Sequence, residues 1–167
     1  EIYSALEKRT IDAAEWIGPY DDQKLGLNKV APYYYAPGWW EGSASITTMV
    51  NETAWNALPP DFKAAFEAAA NEQTTLMMAR YDATNPTALI ELIAGGAKLS
   101  YFPKDMMDAA YAASQELWVE LSGKNPDFAA IFPEWKKFHQ LQVSWFRVAE
   151  DSLDSYTSNA LQRAARK

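Results

Sequence analysis

A chain of 167 residues, 49% hydrophobic and 22% charged, has the makeup of one globular domain or one lobe of a larger protein. Its formal charge of −7 gives no basic footprint for phosphate, so no nucleic acid is expected as a partner, and an anionic membrane surface is equally disfavoured. The absence of cysteine excludes disulfides and thiolate chemistry, and no apolar run approaches the roughly 20 residues of a membrane helix.

In chain order, Ile2 to Glu7 reads as the tail of a helix with Ile2, Ala5 and Leu6 on one face. Ile11 to Trp16 reads as a short strand, closed by Gly18-Pro19. Asp21-Asp22 open a helix that runs to about Ala31, where acid suits the helix dipole, and Pro32 ends it. Tyr33-Tyr34-Tyr35 has strand propensity and Pro37-Gly38 turn chemistry. Ser45 to Val50 alternates as a second strand. Asn51 caps a short helix bearing Trp55 and Leu58. A long helix then starts at Pro59-Pro60-Asp61, is broken or kinked at Asn85-Pro86, resumes over Ala88 to Ala94 and stops at Gly95-Gly96. Lys98 to Phe102 is a third short strand.

Two amphipathic helices close the sequence. Met107, Ala110, Tyr111, Leu117, Trp118 and Leu121 form one apolar stripe; Trp135, Phe138, Leu141, Trp145, Ala149, Leu153 and Tyr156 form another, and both are expected to be core. The aromatic share of 14%, with 7 Trp and 9 Tyr, points the same way. The fold class is α/β and helix-rich, with too few strands for a complete parallel sheet.

Chemistry concentrates between Ile11 and Ser45. Glu15-Trp16 stands at the expected end of one strand and Trp39-Trp40-Glu41 just before another, and ligands of open α/β sheets bind at strand ends. Two carboxylates and three indoles there suit a small pocket, with the Glu oxygens as hard ligands for Ca²⁺, Mg²⁺ or Na⁺. Glu15 capping a helix or pairing with Lys24 or Lys29, with the tryptophans in the core, accounts for the same residues. His139 is the lone histidine, so no histidine metal cluster forms within the chain. Gly95-Gly96 lacks the Lys-Ser/Thr sequel of a phosphate loop.

The run Ile11-Asp12-Ala13-Ala14-Glu15-Trp16-Ile17-Gly18-Pro19-Tyr20-Asp21-Asp22 resembles the solute-binding proteins of tripartite ATP-independent periplasmic (TRAP) transporters, DctP-like, in the branch that binds 2-oxo acids such as pyruvate, or lactate. Lys24-Leu25-Gly26, Val30 to Tyr35, Pro37-Gly38-Trp39-Trp40-Glu41, Trp55 to Pro59 and Tyr81-Asp82-Ala83 to Asn85-Pro86 carry the likeness as far as Phe102. The resemblance implies the C-terminal portion of a two-lobed periplasmic binding protein of type II-like fold, with an incomplete sheet and no enzymatic activity. It divides the chain into a strand-rich, site-bearing segment at about 11–50, a long kinked connecting helix at about 51–94, and a C-terminal strand and helices at about 98–167. It also implies a metal cation, Na⁺ or Ca²⁺, bound with the substrate: Glu15, Trp16 and Glu41 as metal ligands, and Trp16, Glu41, Tyr20 and Trp40 as substrate contacts. The implied partners are a small carboxylate, the TRAP membrane permease subunits and, through a long helix, a second copy forming a homodimer. The implied compartment is the periplasm.

Arg9 stands where such proteins commonly have Gly at a turn, a change that forfeits free access to positive φ at about 1 kcal/mol. The chain opens in a helix pattern at Glu1 without Met, so a fragment is expected, with the signal peptide in a missing N-terminal part. The ligand-clamping Arg implied by the resemblance belongs to that part, and the segment by itself is expected to bind 2-oxo acids weakly or not at all. An alternative from another class is a glycoside hydrolase fragment using Glu15 and Glu41 as its carboxylate pair.

Overall fold

In the computed structural model, which describes residues 1–42 and 44–166, the chain forms two compact units, Glu1–Lys104 and a second from Asp105 onward. Among the described residues no helix is long and apolar enough to cross a membrane.

The first unit opens with helix α1 (Ile2–Glu7), which buries Leu6. Its end is closed by Thr10 N–H donating to Ala5 O at 2.9 Å and Arg9 N–H donating to Leu6 O at 3.0 Å. This paired closure requires a left-handed residue at the position of Arg9. Arg9 adopts it at φ 56°, so the turn keeps the shape that glycine favours despite its side chain.

Residues 11–16 form no strand, contrary to the sequence expectation. A strand exists only where a neighbour takes its backbone hydrogen bonds, and the described strands are β1 (Tyr33–Ala36) and β2 (Lys98–Tyr101), paired in parallel with each other. Residues 45–50 lack strand structure for the same reason, and Ile46 and Met49 are exposed.

Helix α2 (Pro19–Leu25) starts with Pro at its first position. It ends well before Ala31 because Gly26 adopts φ 69° and turns the chain into a 3₁₀ segment, Leu27–Lys29. The β1–β2 register pairs Tyr33 with Lys98 and Ala36 with Tyr101, extended by Lys98 N–H to Pro32 O and Phe102 N–H to Ala36 O.

Helix α3 (Glu52–Ala57) is capped by Asn51, whose side chain accepts from Ala54 N–H at 3.1 Å. Helix α4 (Pro60–Ala94) then runs through Pro86 as one 35-residue helix. Proline removes one donor from the ladder, yet the backbone stays helical on both sides. Gly95 caps α4, and Gly96, at φ 99°, turns the chain into β2. Helix α2 packs on α4. The buried apolar set of the described residues is Leu6, Ala88, Leu92 and Ala97, with Asp22 the one buried acid.

The second unit contains most of helix α5 (Lys104–Lys124), together with α6 (Pro126–Phe146), a π-helical turn at Arg147–Asp151 and α7 (Ser152–Ala165). Asn125 caps α6 by accepting from the Asp127 and Phe128 amides at 3.0 and 3.1 Å, so this helix begins well before Trp135. The expectation that its apolar stripe is core is overturned: Trp135, Phe138, Leu141, Trp145, Leu153 and Tyr156 are all exposed. The aromatic rings there stack along the helix surface instead, Phe132 on Trp135 at 5.7 Å and Trp135 on His139 at 5.1 Å between centroids.

Candidate functional site

The turn between α1 and α2 carries Glu15 and Trp16. Both are exposed, Trp16 at 43%, and Glu15 has no ion pair with Lys24, Lys29 or any other described residue. The turn after β1 carries Trp39, Trp40 and Glu41. There the Glu41 amide closes a loop onto Gly38 O at 3.4 Å, Trp40 packs edge-on against Phe102 with centroids 5.9 Å apart, and Tyr35 stacks on Phe102 at 5.2 Å. Strand β1 and its neighbour thus place Trp40, while the Glu41 carboxylate stays exposed, with no ion pair or hydrogen bond among the described residues.

Tyr20 lies in the first turn of α2. Its N–H donates to Asn85 Oδ1 of α4 at 3.1 Å, which caps α2 from outside its own sequence. Lys24 Nζ sits 4.2 Å from the Tyr20 ring centroid. Lys24, and after it Arg80, hold the Tyr20 hydroxyl below its ordinary pKa by hydrogen bonding. A hydrogen bond to Asp21 raises that of the neighbouring Tyr81.

The first of these turns borders a cavity of about 70 Å³ lined by Trp16, Asp22, Asn28, Tyr33 and Tyr34 among apolar side chains that include Leu92. Of the five residues singled out from sequence, it includes Trp16 alone; Glu15, Tyr20, Trp40 and Glu41 do not line it. Asp22 is 7% exposed, and the Tyr34 hydroxyl donates to its Oδ2 at 2.5 Å. Burial raises the Asp22 pKa, against the opposing pull of Tyr34 and the Ile17 and Gly18 amides. Burial, then Asp22 itself, raises that of Tyr34. Sequence reasoning missed this pair, taking Asp22 as a dipole partner of α2 and Tyr34 as a strand residue. The available signal was an aspartate at a helix start with a strand tyrosine close by in sequence.

Among the described residues no three His, Asp or Glu side chains gather into a metal-binding group. Glu15 and Glu41 nevertheless offer unpaired hard oxygens of the type that Na⁺ and Ca²⁺ accept, in shells that backbone carbonyls and ligand oxygens complete. In donor chemistry they fit such a cation.

The family model of bacterial extracellular solute-binding proteins, family 7 (DctP), matches residues 1–125. The chain is 43% identical over 160 residues to a monocarboxylate 2-oxoacid-binding periplasmic protein of Nostoc sp. (strain PCC 7120), covering 96% of this chain and 44% of that one. Among solved structures, a TRAP transporter solute-binding protein from Bordetella bronchiseptica RB50 superposes with a TM-score of 0.93 at 70% identity, covering 98% of this chain and 48% of that one. It is described as a mixed-occupancy dimer with copurified calcium and picolinate in one active site. A TRAP periplasmic solute-binding protein from Pseudoalteromonas atlantica T6c, with bound sodium and pyruvate, superposes at 0.86 with 32% identity, covering 93% of this chain and 47% of that one. The chain therefore spans about half the length of the relatives it matches. Its helix-rich architecture with a small sheet is that of half a TRAP-type binding protein. These relatives give no support to a glycoside hydrolase. The match of a binding-protein model across three quarters of the sequence places the chain in the DctP family of bacterial extracellular solute-binding proteins.

Proposed function

We propose that the protein is a periplasmic receptor that grips a small carboxylate, a 2-oxo acid such as pyruvate or else lactate, through a bound Na⁺ or Ca²⁺ and delivers it to TRAP membrane permease subunits. The observation that carries this reading is the pair of exposed carboxylates, Glu15 and Glu41, without partners among the described residues, on two turns that also carry Trp16 and Trp40. Two such carboxylates repel a bare organic anion. A cation between them reverses the sign of the local field, and the same cation then takes the carboxylate and keto oxygens of the ligand. In this arrangement Glu15, Trp16 and Glu41 hold the metal, Trp16 through its backbone carbonyl, while Trp16, Glu41, Tyr20 and Trp40 shape the ligand pocket. The relatives described with calcium and picolinate and with sodium and pyruvate support the choice of ligand class.

The proposed segments are a site-bearing part at about 11–50, a connecting helix at about 51–94, and C-terminal elements at about 98–167. The exposed stripe on α6 and α7 is proposed to meet a second copy, in line with the dimer described for one relative; sedimentation of the protein over a concentration series tests that partner.

Calorimetric titration of pyruvate into the protein at its full natural length, with Ca²⁺ or Na⁺ present and after chelation and dialysis into cation-free buffer, tests the receptor reading. Heat of binding with the cation, lost without it and lost in Glu15→Gln, is the expected result. Equal binding with and without cation refutes the reading.

A further inference from the structure

Asp22 is 93% shielded from solvent, since its exposure is 7%, and a carboxylate placed there costs free energy unless donors surround it. They do so incompletely. The Tyr34 hydroxyl donates to Oδ2 at 2.5 Å, while Oδ1 is buried without a hydrogen-bond partner among the described residues. The Ile17 and Gly18 amides also favour the ionised carboxylate. An apolar residue in the same place would hold α2 against its neighbours at lower cost.

The pair joins two segments that carry the proposed site. Asp22 lies in the first turn of α2, its own N–H donating to Gly18 O at 2.9 Å, directly after the turn that carries Glu15 and Trp16. Tyr34 lies in β1, and the chain leaving that strand at Ala36 reaches Trp40 and Glu41 within five residues. Trp16, Asp22 and Tyr34 share the wall of one cavity. Asn85 Oδ1 fixes the start of α2 at Tyr20, and Gln23 Nε2 donates to Glu91 Oε2 further along. Helix α2 is thereby pinned to α4 along its length, and Asp22 is its link to β1.

We infer that Asp22 and Tyr34 are positioning residues whose hydrogen bond ties the Glu15–Trp16 turn to the strand that bears Trp40 and Glu41, and so sets the spacing of the two carboxylates across the cation. The inference rests on the receptor reading above. A hydrogen bond to a charged group in a buried place is directional and short, which suits it to fixing a distance that an apolar contact leaves loose. Cavity size and ligand spacing decide between Ca²⁺ and Na⁺ as much as charge does, so the tie bears on which cation is preferred.

The test compares, in the protein at its full natural length, wild type with Asp22→Ala, Asp22→Asn, Tyr34→Phe and a stability control, Phe66→Leu. The control loosens the Trp55–Phe66 contact, centroids 5.6 Å apart. Each is titrated with Ca²⁺ and with Na⁺ by calorimetry, alone and with pyruvate present, and melted by circular dichroism. Tyr34→Phe and Asp22→Ala are expected to lose about tenfold or more in Ca²⁺ affinity and to change the Ca²⁺-to-Na⁺ ratio. Asp22→Asn keeps an acceptor for the Tyr34 hydroxyl and stays within about threefold of wild type. Phe66→Leu lowers the melting temperature and leaves cation affinity unchanged.

The inference is overturned if Tyr34→Phe lowers the melting temperature while Ca²⁺ affinity and the cation ratio hold at wild-type values. Loss in Asp22→Asn equal to that in Asp22→Ala overturns it too. Should Asp22→Ala fail to fold, Tyr34→Phe, which removes a single oxygen, decides the matter. A full-length wild-type protein that binds neither cation, alone or with pyruvate present, sinks the receptor reading itself, an outcome separate from unaffected variants of a binding-competent wild type.

Discussion

Replacing Leu92 by Ala measures how much of the first unit depends on its small core. Leu92 is 2% exposed and is the largest side chain so fully buried. Truncation removes three carbons from the interior, a transfer loss of about 2.4 kcal/mol at roughly 0.8 per carbon. The void left behind adds to this, because Leu92 already borders the 70 Å³ cavity and its neighbours have little left to collapse upon. A total of about 3–4 kcal/mol is expected, within the range for buried Leu→Ala changes. Urea unfolding followed by tryptophan fluorescence reads this as a midpoint lowered by roughly 1–3 M. Leu76→Ala, on the same helix but 49% exposed, serves as reference and is expected to cost less than about 1 kcal/mol. Equal losses at the two positions would refute the placement of the core at Leu6, Ala88, Leu92 and Ala97.

Arg9→Gly is expected to stabilise the protein by about 0.5–1 kcal/mol, since relief of the left-handed strain exceeds the added freedom of the unfolded chain. Arg9→Ala keeps the Cβ and brings no such gain, and chemical denaturation of both variants checks the difference. Asp22 governs a pH effect. Its folded pKa is raised by burial, so the native state favours the protonated form more than the unfolded chain does. Its stabilising contribution is complete below the unfolded value of about 3.9 and fades as pH rises through the raised folded value. Asp22→Asn removes that slope. Its stability relative to wild type should therefore grow with pH above about 4 and then level, as urea melts across a pH series would report. A difference that shrinks with rising pH contradicts the sign of the shift.

Much of the fold was legible because its signals are local. Asn51 and Asn125 cap helices with their own side chains; Gly95-Gly96 stops α4, and the Tyr33–Tyr35 run is a strand. The misreadings share one physical cause, dependence on a partner. Ile11–Trp16 reads as a short strand and Ser45–Val50 alternates as strands do, yet no described strand pairs with either. The α6–α7 stripe has core periodicity, yet among the described residues it stays exposed. The helix at Pro19 ended early for a different reason, the left-handed Gly26, which looked like an ordinary interior residue.

Of the candidate site, Glu15, Trp16, Trp40 and Glu41 came to notice through residue type and resemblance. Composition could not reveal the buried Asp22–Tyr34 link, because a pair of that kind becomes visible only when helix and strand are placed side by side.

The claim at the centre of the account is that a cation sits between Glu15 and Glu41. A crystal structure of the protein grown with Ca²⁺ and pyruvate, with the metal located by its anomalous signal, tests this directly. The account predicts one ion with an oxygen of each carboxylate at about 2.3–2.6 Å and the pyruvate oxygens completing its shell. An ion held elsewhere, or pyruvate bound with no metal beside those two glutamates, would contradict it.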